Sequence, residues 1–238
     1  MPKAAMVMAA GYGKRLRPLT DTVPKPMVKV LGRPMIDVAL DRLVAAGVER
    51  AVVNLHHLGE VIREHLKDRA DIEIVFSEEK EILETGGGIK CALPLLGPEP
   101  FFVVNAKIIW LNGREDALHR LAKAWDPARM DALLLLHPTV TAIGYEGPGD
   151  FQMDQEGLLS RRRQGEVAPF LYSGIYICHP RLFANSPDGA FSVNLLWDRA
   201  IEAGRLHGIR HDGEWYHVST PKHLAEVERE LGFHGIRF

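Results

Sequence analysis

Short apolar runs that end in small or polar residues, separated by segments with helical spacing, are the strongest constraint this sequence places on its fold. Ala4 to Ala10 is the first such run, and it empties into glycines and basic residues. Ala51 to Leu55, Ile72 to Phe76, Phe101 to Asn105 and Ala132 to Leu136 follow it. Most are too short for helices and show no polar face, as expected of strands covered on both sides. Between them, Pro34 to Ala46 carries Met35, Val38, Leu40, Leu43 and Val44 at helical spacing, with proline near the first turn and Gly47 as the stop. Leu58 to Leu66, Gly88 to Leu96 and Glu115 to Trp125 read as further helices. This alternation predicts βαβ units and an α/β fold: a mixed, mainly parallel sheet with helices on both faces.

Beyond about residue 140 the pattern is less regular. Phe151 to Asp154, Leu158 to Arg163 and Tyr172 to Cys178 are expected as antiparallel additions, with a turn at Asp154 to Gly157. Val193 to Ala203 and Pro221 to Leu231 read as closing helices, and the segment after them is left open. No linker or low-complexity stretch divides the 238 residues, so one domain is expected, its second half supplying the other wall of a cleft.

The segment Ala9-Ala10-Gly11-Tyr12-Gly13-Lys14-Arg15-Leu16-Arg17-Pro18-Leu19 carries the clearest chemistry. Small residues at a strand end let a ligand approach the backbone, and glycines expose successive N–H groups that can hold phosphate oxygens. Lys14, Arg15 and Arg17 stand beside those amides. The spacing is neither GxGxxG nor the GxxxxGK[ST] P-loop. A lone GxG with solvated cations would be an ordinary surface loop. Here Pro24-Lys25-Pro26 follows at a distance that can return a rigidly held lysine to the same loop.

Composition narrows the partners. A formal net charge of -2 gives no electrostatic case for nucleic acid or an anionic membrane. No run approaches the ~20 apolar residues of a spanning helix. The N-terminus shows no leader-like region, so a cytoplasmic protein is expected. Cys91 and Cys178 lack metal-ligand or redox spacing and read as reduced packing residues. His56-His57 reads as a loop pair. Oligomeric state is not encoded in any visible pattern.

The AAGxGxRLxPLT stretch with its following PKPM resembles the sugar-1-phosphate nucleotidyltransferases, which have a Rossmann-like α/β fold. The similarity extends through Leu83-Glu84-Thr85-Gly86-Gly87-Gly88, Gly149-Asp150-Phe151, Ser173-Gly174 and Trp215 to Pro221. The combination of LETGGG, GDF and a short chain is most similar to the N-acetylmuramate 1-phosphate uridylyltransferases of cell-wall recycling. The resemblance implies that a sugar 1-phosphate attacks the α-phosphorus of a nucleoside triphosphate, UTP by this analogy, and releases pyrophosphate. It implies a nucleotide-binding half over about 1–140 and a sugar-binding half over about 141–238. Arg15 would stabilise the leaving pyrophosphate and Lys25 would bridge the reacting phosphates. Ala9, Ala10, Gly11, Gly13, Glu78, Thr85, Gly86 and Asn105 would face the nucleotide, and Gly149, Asp150, Glu166, Ser173 and Gly174 the sugar. Glu84 is an alternative polar contact, although it is equally placed to cap the following helix. Arg161 to Arg163 reads first as a solvated strand face, with one of the three able to reach the sugar phosphate. Gly174 reads also as a site of close backbone approach.

The family pattern includes Mg²⁺ held by two aspartates, and here the sequence departs from it. Lys107 stands at the first position, and His217 at the second is the one remaining metal-ligand candidate. Ser219 replaces a usual glycine. A protonated ammonium does not ligate Mg²⁺, and Mg²⁺ prefers oxygen to imidazole. Three readings stay open. Other carboxylates such as Asp150, with the substrate phosphates, hold a metal; or the Lys107 ammonium neutralises the phosphates itself; or the chain binds nucleotides without turnover. A guanylyl- or thymidylyltransferase for another sugar is a further alternative.

Overall fold

The computed structural model describes residues 1–238. The chain opens with strand β1 (Ala4–Met8), the short pair β2 (Lys29–Val30) and β3 (Arg33–Pro34), then helix α1 (Met35–Ala45). Alternation follows: β4 (Arg50–Leu55), α2 (Gly59–Leu66), β5 (Glu73–Glu78), α3 (Glu84–Leu96) and β6 (Phe101–Asn105). Next come β7 (Ile108–Leu111), α4 (Ala117–Ala124) and β8 (Ala132–Pro138). The second half adds β9 (Phe151–Met153), β10 (Leu159–Arg161), β11 (Phe170–Cys178) and α5 (Asn194–Glu202). It closes with β12 (Leu206–Arg210), β13 (Glu214–His217) and α6 (Pro221–Phe233).

Nine strands form one sheet in which β5, β4, β1 and β6 lie side by side in parallel. β11 runs antiparallel between β6 and β8, and β12 pairs β8 in parallel. The β9–β10 hairpin attaches to the start of β11, at Phe170. The sheet is therefore mixed and mainly parallel. A separate two-stranded ladder pairs β7 with β13, matching Ile108 to His217.

Strand side chains alternate between faces, and the core divides accordingly. Ala5 and Val7 of β1, Ala51 and Val53 of β4 and Phe102 and Val104 of β6 pack with Ile36, Leu40 and Leu43 of α1, Ile62 of α2 and Leu118 of α4. Met6, Val52, Phe101 and Val103 face the opposite layer, where Ile89 and Ala92 of α3 meet Leu196 and Trp197 of α5. A smaller cluster joins Leu16, Val28, Met35, Ile109, Tyr216 and Val227 beneath α6. Ile236 and Phe238 pack against it, so the terminal segment docks on the body.

Two expectations need correction, and two strands lie where no element was expected. The helix expected from Gly88 begins at Glu84 and takes in all three glycines. Leu206 to Arg210 is an added edge strand, and Glu214 to His217 pairs with β7. Of the two cysteines, Cys178 is buried but Cys91 is exposed, because it falls on the outer face of α3.

Candidate active site

The parallel strands deliver their carboxyl ends to one edge of the sheet, where open α/β folds bind ligands. Beyond β1, the amides of Ala10, Gly11 and Tyr12 donate to no protein acceptor. Gly13 adopts φ +64°, and a Cβ there would lie 3.0 Å from Thr20 Cγ2 and 3.1 Å from Lys25 Cβ. That glycine lets the Thr20 to Lys25 segment fold back over the loop, and the Thr20 hydroxyl donates to Gly13 O at 2.9 Å. Lys25, between its two prolines, is thereby returned to the glycine loop.

A buried polar relay fixes the floor. The Ala9 N–H donates to Asn54 Oδ1 at 2.6 Å, and Asn54 Nδ2 donates to Glu79 Oε1 at 2.6 Å. The other oxygen of Glu79 accepts the Leu83 N–H at 3.0 Å. Gly88 makes room for this chain, since a Cβ there would meet Glu79 Oε1 at 2.6 Å. The relay ties the phosphate-type loop after β1 to the loop that starts α3. A cavity of about 400 Å³ lies over it, lined among others by Ala9, Ala10, Gly11, Lys25, Glu84 and Thr85.

A second cavity, of about 300 Å³, adjoins the first. Its wall is set by a register shift in β11 between Tyr172 and Tyr176. Gly174, at φ +91°, lies inside that irregularity, with Asn105 Nδ2 3.1 Å from where its Cβ would stand. The Trp215 indole N–H holds the neighbouring Ser173 carbonyl at 2.7 Å. The Ser173 hydroxyl is fully buried, lines the cavity and has no protein partner. Asp150 lines it too, one oxygen accepting the Tyr172 N–H at 2.8 Å. Arg161 supplies a cation, held by Asp198 at 2.7 Å and stacked over Phe151 at 4.7 Å.

Thr85, Asn105, Lys107 and Ser192 line both cavities and form their common wall. Cations concentrate at this junction. Burial, then Lys107, then Arg15 pull the Lys25 ammonium down to about 7. Burial and then Arg15 lower Lys107 as well. His217 is brought beside Lys107 by the β7–β13 ladder, and burial followed by Lys107, Lys25, Arg15 and His223 hold its imidazole down to about 3. The ring is therefore neutral at pH 7, and its buried Nε2 has no partner.

These residues do not fit an aspartate-bound Mg²⁺. No group of three or more His, Cys, Asp or Glu side chains is arranged to hold a metal ion. The carboxylates that line the cavities are Glu79, Glu84 and Asp150, and Glu79 is already bonded at both oxygens. Magnesium requires several hard oxygen donors, whereas the junction offers ammonium groups and an imidazole.

The structure gathers most of the residues expected from sequence and leaves some outside. Ala9, Ala10, Gly11, Lys25, Thr85 and Asn105 line the first cavity; Asp150, Ser173, Gly174 and His217 line the second. Arg15 is exposed beside the first, and Gly13 acts through its backbone. Glu78 points away and pairs with Arg63 on the surface; its buried neighbour Glu79 faces the cleft instead. Gly86 packs on Phe191, and the Thr85 hydroxyl accepts the Val193 N–H at 3.0 Å. Gly149 lines neither cavity, taking φ +79° against Ala168, and Glu166 is exposed near Arg163. Sequence reasoning missed Asn54, Glu79, Ser192, Asn194, Tyr145 and Trp197. Asn54 carried a readable signal, the one polar residue in the run Ala51 to Leu55.

Residues 4–145 match the nucleotidyl transferase family. The chain is 45% identical over 235 residues to the N-acetylmuramate alpha-1-phosphate uridylyltransferase of Caulobacter vibrioides, covering 97% of each chain. It is 34% identical to the protein of the same name from Neisseria meningitidis serogroup B, over 96% of this chain and 98% of that one. Among solved structures, UDP-glucose pyrophosphorylase from Acinetobacter baumannii superposes with a TM-score of 0.80 at 16% identity, covering 98% of this chain and 94% of that one. The glycine loop, the returned Lys25, the two adjoining cavities and these matches agree, and the chain belongs to the sugar-1-phosphate nucleotidyltransferase family.

Proposed function

We propose that this protein joins UTP to N-acetylmuramate 1-phosphate, releasing pyrophosphate and forming the UDP-sugar. The observation that carries the reading is the shared wall at Lys107, between a cavity over the glycine loop and a second cavity with its own cation, Arg161. Two phosphorylated substrates placed in these cavities meet at one cationic point. A sugar-phosphate oxygen attacks the α-phosphorus, the bond to the bridging oxygen breaks, and the electron pair leaves on pyrophosphate. Phosphoryl transfer of this type needs positioning and charge neutralisation rather than a protein nucleophile. Lys25 contacts the α-phosphate and the incoming phosphate, and Arg15 the departing pyrophosphate. Free amides of the glycine loop hold the nucleotide. N-acetylmuramate carries a carboxylate, and Arg161 is the cation available to it in the second cavity.

In this reading residues of about 1–140 form the nucleotide half and 141–238 the sugar half of one domain. The protein works in the cytoplasm on sugars recovered from the cell wall. No helix is long and apolar enough to cross a membrane. The missing carboxylate cluster favours a second reading, a nucleotide-sugar binding protein without turnover. Initial rates of pyrophosphate release with UTP, GTP and dTTP, each with N-acetylmuramate 1-phosphate or another sugar 1-phosphate, test both. The uridylyl reading expects UTP with the muramate to be fastest. Preference for GTP would replace the base, and silence with every pair would favour the binding protein.

A further inference from the structure

The junction between the cavities has a charge pattern at odds with a metal-dependent site. Lys107 lines it and Lys25 lines the first cavity beside it, and the charges that act on them are other cations: Lys107 and Arg15 on Lys25, Arg15 on Lys107. No carboxylate neutralises either lysine. His217 lines the second cavity beside Lys107, and its buried Nε2 has no protein partner. Such an arrangement disfavours a divalent cation twice, by repulsion and by the lack of hard oxygen donors. Two partly buried lysines without counter-ions hold their protons less tightly than usual, and a polyanionic ligand supplies the negative charge that keeps both protonated.

We propose that Lys107, with Lys25 and Arg15, receives the nucleoside triphosphate as its metal-free anion, three fixed side-chain cations replacing the charge of a divalent ion. The proposal rests on the nucleotide-binding reading above. Lys107 stands in the turn between β6 and β7 on the wall common to both cavities, so its ammonium reaches phosphates from either side. Asn105 lies on the same wall and supplies a neutral hydrogen-bonding group. A lysine is suited to this work because its compact ammonium acts as a point charge with several donors. Mg²⁺ in solution competes with the protein for the same phosphate oxygens, so binding and metal chelation oppose each other by linkage.

The test is calorimetric titration of UTP into the native chain in EDTA and in excess Mg²⁺, repeated with Lys107→Asp and Lys107→Met. The native chain should bind UTP in EDTA, with Kd weakened by about tenfold or more when Mg²⁺ sequesters the nucleotide. Lys107→Asp should reverse that order and bind only with Mg²⁺. Lys107→Met should lose about tenfold or more of the EDTA affinity without gaining a response to Mg²⁺. Circular dichroism of each variant separates misfolding from lost binding, and Lys107→Met removes a buried charge without adding one. Native binding that requires Mg²⁺, or Lys107→Met binding as tightly as native in EDTA, overturns the proposal while leaving the nucleotide reading in place. No UTP binding under either condition overturns both.

Discussion

Gly87→Ala tests the account of the LETGGG segment as a packing seam. A Cβ at Gly87 would lie 2.2 Å from the backbone oxygen of Gly189 and 3.1 Å from Leu83 Cβ. Ordinary contacts begin near about 3.5 Å, so the 189–193 segment must retreat by roughly 1 Å. That segment is bound to α3 through Phe191 O, which accepts from the Gly86 amide at 2.8 Å and the Gly87 amide at 3.2 Å. The Val193 amide to Thr85 Oγ1, at 3.0 Å, completes the seam. Disturbing two such bonds loses about 2 kcal/mol, and overpacking adds about 1–3 kcal/mol. Replacing a helical glycine by alanine returns about 1 kcal/mol. The net expectation is about 2–4 kcal/mol of destabilisation, a fall in Tm of about 4–16 °C for a chain of this size. Differential scanning calorimetry of native and variant chains measures it. An unchanged or higher Tm would mean that helix propensity wins and that the seam is not packed as described.

Other consequences follow from the same structure. Asn54→Ala leaves the Ala9 amide and the Glu79 carboxylate without their buried partner, and should lower stability in urea by about 2–4 kcal/mol. Lys25, at about 7 in the folded chain against 10.5 ordinarily, is deprotonated on folding between those values. The unfolded chain binds more protons there, so this group's contribution to stability rises with pH through the window and is least favourable below about 7. Urea midpoints at pH 6.5 and 9 should show that rise in the native chain, reduced in Lys25→Met. Arg161→Ala should raise KM for N-acetylmuramate 1-phosphate by about tenfold with KM for UTP unchanged, whereas a sugar 1-phosphate lacking the carboxylate should respond less. Steady-state kinetics with both sugars decide it.

Much of the nucleotide side was legible in the sequence because its signals are local. The apolar run into Gly11 and Gly13, and the lysine between Pro24 and Pro26, carry their geometry in consecutive residues. The parallel core was legible for the same reason, since β1, β4 and β6 are apolar on both faces apart from Arg50, Asn54 and Asn105. What escaped depends on contacts distant in sequence. Glu78 and Glu79 are neighbours with equal propensities, and only the strand register decides that Glu79 turns inward to Asn54 while Glu78 meets Arg63. Gly86 reads as a nucleotide contact, and sequence alone does not show that Gly86 packs on Phe191 and Gly87 on Gly189, roughly a hundred residues on. The ladder that sets His217 beside Lys107 pairs segments equally remote.

Lys25, held in the first cavity beside its junction with the second, is expected to help this chain transfer a uridylyl group. The most direct measurement is mass-spectrometric detection of UDP-N-acetylmuramate formed from UTP and N-acetylmuramate 1-phosphate, with and without Mg²⁺, by the native chain and a folded Lys25→Met variant. Product is expected from the native chain, with a rate lower by about 100-fold or more in the variant. Equal rates in the two chains, or no product from the native chain under either condition, would contradict it.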